Sequence, residues 1–86
     1  MDDIAKWRKQ IDEIDDKIVK LVNERAACAE EIGKIKNKNG LEIYNPEREK
    51  YIMRHISEVN KGPLDNYALM RIFEIIIGEC RDREGV

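Results

Sequence analysis

No glycine interrupts the first 32 residues of this 86-residue chain, and no proline occurs before Pro46. The two strongest helix breakers are thus missing where a long helix would need them to be. Aromatic residues make up 6% of the sequence and charged residues 40%. That composition suits amphipathic helices and argues against a β-sandwich. Cysteine is sparse as well. Cys28 and Cys80 both fall on expected apolar helix faces, and two buried thiols fit a reduced, cytoplasmic protein better than a disulfide scaffold. No apolar run approaches the roughly 20 residues of a membrane span, and no signal-like segment precedes the first helix. With a net charge of −2 and both signs interspersed, no basic stripe invites nucleic acid. The expectation is one domain over residues 1–86, cytoplasmic, bound to neither membrane nor nucleic acid.

What the sequence does contain is periodicity. Ile4, Trp7, Ile11, Ile14, Ile18, Leu21, Cys28, Ile32 and Ile35 occupy the a and d positions of one heptad register from Asp3 to Asn39. The remaining a position is Arg25. A guanidinium in an apolar seam costs several kcal/mol or so unless an anion meets it. Asp2 or Asp3 is the expected N-cap, and Asn39-Gly40 the stop. Asn45-Pro46-Glu47-Arg48-Glu49 opens a second helix with the stripe Ile52, Ile56, Val59, ending at Lys61-Gly62-Pro63. Asp65 opens a third, whose apolar face from Leu69 through Phe73, Ile76 and Cys80 ends on the carboxyl group of Glu84. No strand is expected. The fold class is all-α, with three helices and one very long N-terminal one.

At 1.5 Å per residue the first helix is roughly 52 Å long, about the sum of the other two, which are expected to cover one flank end after end. A second copy is the cheapest cover for the rest, giving an intertwined antiparallel homodimer. Arg25 and Lys36 lie about three turns apart on nearly the same side. If two copies cross near residue 20, Arg8 of one falls between Arg25 and Lys36 of the other. Three cations then meet at each of two symmetric sites, and two guanidiniums suit a ligand with two carboxylates.

Arg8-x-x-Ile11-Asp12-x-Ile14-Asp15, Glu24-Arg25, Ile32-Gly33-x-x-Lys36, Tyr44-Asn45-Pro46-x-Arg48-Glu49 and the tail Cys80-Arg81-x-x-Glu84 together resemble the all-helical chorismate mutases across essentially the whole chain. The resemblance implies an isomerase that rearranges chorismate to prephenate in phenylalanine and tyrosine biosynthesis, without cofactor, metal or covalent intermediate. It also implies a dimer whose two sites each borrow one arginine. Arg25 and the partner's Arg8 would bind the carboxylates, and Lys36 would donate to the ether oxygen. Glu49 would accept from the ring hydroxyl with help from the backbone near Asn45, and Arg48 would brace the site. Cys80 would line the carboxylate end, and Glu84 would be a second partner of the ether oxygen. Asn45 stands where aspartate is common, Cys80 where serine is frequent and Glu84 where many members have glutamine.

Two other readings use the same residues. An isochorismate-pyruvate lyase takes a similar dicarboxylate in the same kind of pocket. A non-catalytic dimerisation or regulatory module, such as an allosteric domain of a larger enzyme, would need only the helices; the mutase reading itself also covers a domain of a fused aromatic-biosynthesis enzyme. Taken singly, Arg48 and Glu49 are plain first-turn charges, Glu84 a solvated helix end, and the cysteines and Trp7 core hydrophobes.

Glu84 yields the first prediction. A glutamine amide always donates a hydrogen bond, whereas glutamate donates only when protonated. Turnover of chorismate is therefore expected to fall as pH rises, and Glu84→Gln to flatten the profile. A pH–rate series on both proteins checks this.

Overall fold

The computed structural model describes residues 2–85, and these form three α-helices. Helix α1 spans Asp2–Lys38, α2 Pro46–Val59 and α3 Asn66–Glu84. The first begins earlier than its sequence signals suggest. Asp2 and Asp3 lie inside its first turn, where they complement the helix dipole, and the capping position falls outside the described residues. Gly40, at φ 66°, takes the left-handed conformation that ends α1, and the Leu41 amide donates to the Lys36 carbonyl at 2.8 Å. The other caps form where the sequence places them. Asn45 Oδ1 accepts from the Arg48 amide at 3.1 Å and Asp65 Oδ1 from that of Ala68 at 2.7 Å. Helix α2 stops at Val59, two residues short of Lys61. Asn60 then ties the turn, donating to Leu64 O and Asn66 Oδ1 and accepting from the Gly62 amide.

That turn folds α2 back against α3, and the backbone of α2 does not approach that of α1. The end-after-end arrangement is therefore corrected. The longest dimension, 57 Å, is about the length of α1 alone, so α2 and α3 do lie beside it, but with α2 stacked on α3 rather than in line with it on α1. Helix α3 packs on the C-terminal half of α1 through Val22, Ala26, Ala29 and Gly33, each of them buried or half-buried. This is a small-residue face, not the heptad seam. A Cβ on Gly33 would overlap the Glu84 carbonyl oxygen and stand 2.6 Å from its Cα. The glycine that looked like a mild weakness in a long helix is the point where two backbones meet.

The seam itself is uncovered. Trp7 is 58% exposed, Leu21 61% and Ile35 59%, and Ile4, Ile11, Ile14, Ile18 and Ile32 are exposed with them. Trp7 thus belongs to no core within a single chain. Cys28, on the seam, is also exposed; only Cys80 is the buried thiol that both were expected to be. The intrachain core is Ala29, Ile56, Ile77 and Cys80.

Gly33→Ala is expected to push α3 off α1 and to lower unfolding free energy by about 1–3 kcal/mol, as overpacking does. Gly78→Ala, where an added Cβ meets nothing within 4 Å, should raise it by about 0.5–1 kcal/mol through helix propensity. Urea midpoints of the two variants against the parent protein test both signs.

Candidate active site

Where the three helices converge they enclose a cavity of about 370 Å³. Its apolar wall is built by Ala29 and Ile32 of α1, Ile52 of α2 and Ile77 of α3. The polar lining comes from all three elements. Helix α1 presents Arg25, Cys28 and Lys36; the start of α2 presents Asn45, Arg48 and Glu49; and α3 presents Cys80, Arg81 and Glu84. Seven of the eight residues singled out from the sequence therefore line one cavity. Arg8 does not: it lies on the exposed N-terminal half of α1, about 25 Å of helix rise from Arg25.

Two ion pairs set the internal geometry. Lys36 Nζ donates to Glu84 Oε1 and to the Ile43 carbonyl, each at 2.8 Å, with both charged side chains more than four-fifths buried. An ammonium has three N–H donors, so one is left for a ligand. Arg81 donates through one terminal nitrogen to Glu49 Oε2 at 2.7 Å, with its guanidinium 5.0 Å from the centre of the Tyr44 ring. Each carboxylate in the cavity is thereby matched to one cation. Among the described residues, Arg25 and Arg48 have no carboxylate partner, although Arg48 rests over the Tyr51 ring at 5.0 Å. Two unmatched guanidiniums beside an apolar wall form a site for a small organic anion carrying more than one negative group. Asn45 spends its side-chain oxygen on the Arg48 amide and its carbonyl on the Glu49 amide, which leaves its backbone N–H and its Nδ2 donors for any ligand contact.

Sequence reasoning gave Arg81 no role. Its signal was available: Arg81 follows Phe73 and Ile77 at four-residue steps and precedes Glu84 by three, so it puts a cation at the end of an apolar stripe beside that carboxyl group. The stripe through Phe73, Ile76 and Cys80 drew attention to the neighbouring face instead. Glu84 is no frayed end. It lies in the last turn of α3, held by Lys36, while Arg83 pairs with Glu30 of α1 at 2.8 Å.

Comparison with known proteins places these features in company. The family model described as chorismate mutase type II matches residues 7–85. A chorismate mutase of Methanocaldococcus jannaschii is 45% identical over 75 residues, covering 86% of this chain and 76% of that protein. The bifunctional chorismate mutase/prephenate dehydratase of Stutzerimonas stutzeri is 39% identical over 84 residues, covering 92% of this chain. The chain spans only 23% of that longer relative. Among solved structures, a chorismate mutase (form II) from Thermus thermophilus superposes with a TM-score of 0.92 at 30% identity, covering 94% of this chain and 92% of that one.

Lys36→Ala would leave the largely buried Glu84 carboxylate without its cation, and is expected to cost about 1–3 kcal/mol of stability. Glu84→Gln keeps an acceptor for Lys36 and should cost under about 1 kcal/mol. Urea denaturation of both variants gives the order.

Proposed function

Since this chain belongs to the type II chorismate mutase family, we propose that it is an isomerase converting chorismate to prephenate by intramolecular Claisen rearrangement. The observation that carries the proposal is the pairing of two carboxylate-free guanidiniums with a fixed ammonium in one cavity. The reaction breaks the substrate's ether C–O bond and forms a C–C bond, with no proton leaving or arriving. What it asks of a protein is a compact conformer with the reacting carbons in near-attack contact. It also asks for donors placed where charge develops.

Arg25 takes one substrate carboxylate bidentately. The partner's Arg8 takes the other in a homodimer formed along the exposed heptad seam, which supplies far more contiguous apolar surface than a monomer ordinarily leaves bare. Lys36, two of whose donors are spent within the chain, turns the third to the ether oxygen as it gains negative charge. Glu84 flanks that oxygen, and Glu49 accepts from the ring hydroxyl. Arg48 adds positive charge, and Cys80 and the backbone at Asn45 close the wall. Among the described residues, no helix is long and apolar enough to cross a membrane. Two free thiols suit the cytoplasm as the site of the reaction.

The test is chorismate disappearance. Arg25→Ala and Arg8→Ala are each expected to lose on the order of a thousandfold in kcat/KM, the scale of several kcal/mol of transition-state contact. Mixing the two variants should restore part of the activity, because a mixed dimer rebuilds one intact site. A loss below about tenfold for Arg25→Ala would move the site elsewhere.

A further inference from the structure

Glu49 is the one group in the cavity expected to read the substrate's hydroxyl, and among the described residues nothing on its own helix or on α1 holds its carboxylate. Arg81 does. Its guanidinium bonds Glu49 Oε2 at 2.7 Å, and among the described residues no donor reaches Oε1. Tyr44, from the linker before α2, lies under the same guanidinium at 5.0 Å. The three side chains come from the linker, α2 and α3; Glu49 and Arg81 line the cavity, and Tyr44 meets Arg81 outside that lining. Because the backbone of α2 does not approach that of α1, the distance from Glu49 to Arg25 and Lys36 is set through α3 and through the linker, whose Ile43 carbonyl accepts from Lys36.

We propose that Arg81 is a positioning residue: clamped against Tyr44, it fixes the Glu49 carboxylate so that Oε1 faces the cavity as a dedicated acceptor for a ligand hydroxyl. A free glutamate samples many rotamers, and each ligand would have to freeze it anew. One bonded oxygen leaves the other with its lone pairs available and its direction set. The ion pair also keeps the cavity selective. Arg81 is already matched, so the unpaired positive charge that draws carboxylates stays with Arg25 and Arg48, and the Glu49 end is left to read a neutral hydroxyl. Arg81 thus acts through Glu49, without touching the reacting atoms.

The proposal rests on the chorismate mutase reading, and the experiment separates the two. Steady-state kinetics are measured for the full chain and for Arg81→Leu and Arg81→Lys, with folding checked by circular dichroism. Arg81→Gln replaces Arg81→Leu if the latter does not fold. A hydroxyl bond made in ground and transition states alike is expected to appear in KM: Arg81→Leu raises KM about tenfold or more with kcat within about threefold. Arg81→Lys recovers most of the loss. A chorismate analogue with hydrogen in place of the ring hydroxyl should inhibit parent and Arg81→Leu with Ki values within about threefold, since Glu49 has nothing to accept from it.

Three results overturn the assignment. A fall in kcat at constant KM means fewer folded sites and a structural role only. A Ki for the deoxy analogue that rises as much as KM means that Arg81 grips substrate directly. Arg81→Lys no better than Arg81→Leu means that the cation is not what matters. If the parent protein leaves chorismate unchanged, the function reading fails and this proposal with it; failure of the Arg81 assignment alone leaves that reading standing.

Discussion

At Gly33 the missing side chain lets the backbone of Glu84 lie against α1, and the last turn of α3 takes its position from that contact. Both ion pairs of the cavity are referred to that turn. Glu84 reaches Lys36, Arg83 reaches Glu30 and Arg81 reaches Glu49, so consecutive turns of α1 and the first turn of α2 are tied to one short stretch of α3. Apart from the linker, where the Ile43 carbonyl accepts from Lys36, α1 and α2 share a frame only through α3. Short-range steric contact decides the register, and the ion pairs sharpen a geometry that packing has already chosen. Charge pairs are soft in distance, whereas two backbones in van der Waals contact are not.

The three helix spans were legible in the sequence because their causes are local. Asn45 and Asp65 cap, Gly40 stops, and the heptad of isoleucines sets a period that no other structure shares. Arg25 and Lys36 stood out because each breaks that period. What could not be read was which face of α1 serves the chain's own core. Hydrophobicity marked the isoleucine seam, which suits a second copy, but not the face that α3 takes, Val22, Ala26, Ala29 and Gly33. Small side chains allow a nearer axis and more contact per turn, an advantage that a hydropathy count does not register. Cys28 and Trp7, both counted as core, lie on that seam and are exposed in the single chain. Helix lengths summed correctly but allowed two arrangements, and only the Asn60 turn selects the folded-back one.

The cavity shows how four cations are kept close together. Arg25, Lys36, Arg48 and Arg81 would repel one another in a dry site, and two carboxylates offset half of that charge. Glu49 has a second use in the proposed reaction, as acceptor for the ring hydroxyl, so neutralisation and chemistry draw on the same side chain. The apolar wall of Ala29, Ile32, Ile52 and Ile77 lowers the local dielectric without stranding a charge, because every fully committed ion keeps a partner. The uncommitted guanidiniums are the part of the arrangement that a dianionic ligand completes.

Helix α1 therefore carries two faces with different duties, and Arg25 sits on the line between them. By register it belongs to the exposed isoleucine seam; by position it lines the cavity that the small-residue face creates with α3. Ile32 and Cys28 share that double membership, each on the seam and each in the cavity wall. A second copy seated on the seam would touch the cavity as it covered the isoleucines, and would bring its own Arg8 to the same border. Assembly and ligand binding would then be linked through single side chains rather than through any motion of the fold. Substitutions along the seam would change ligand affinity even where they touch no ligand, because the wall they support is also the wall of the site.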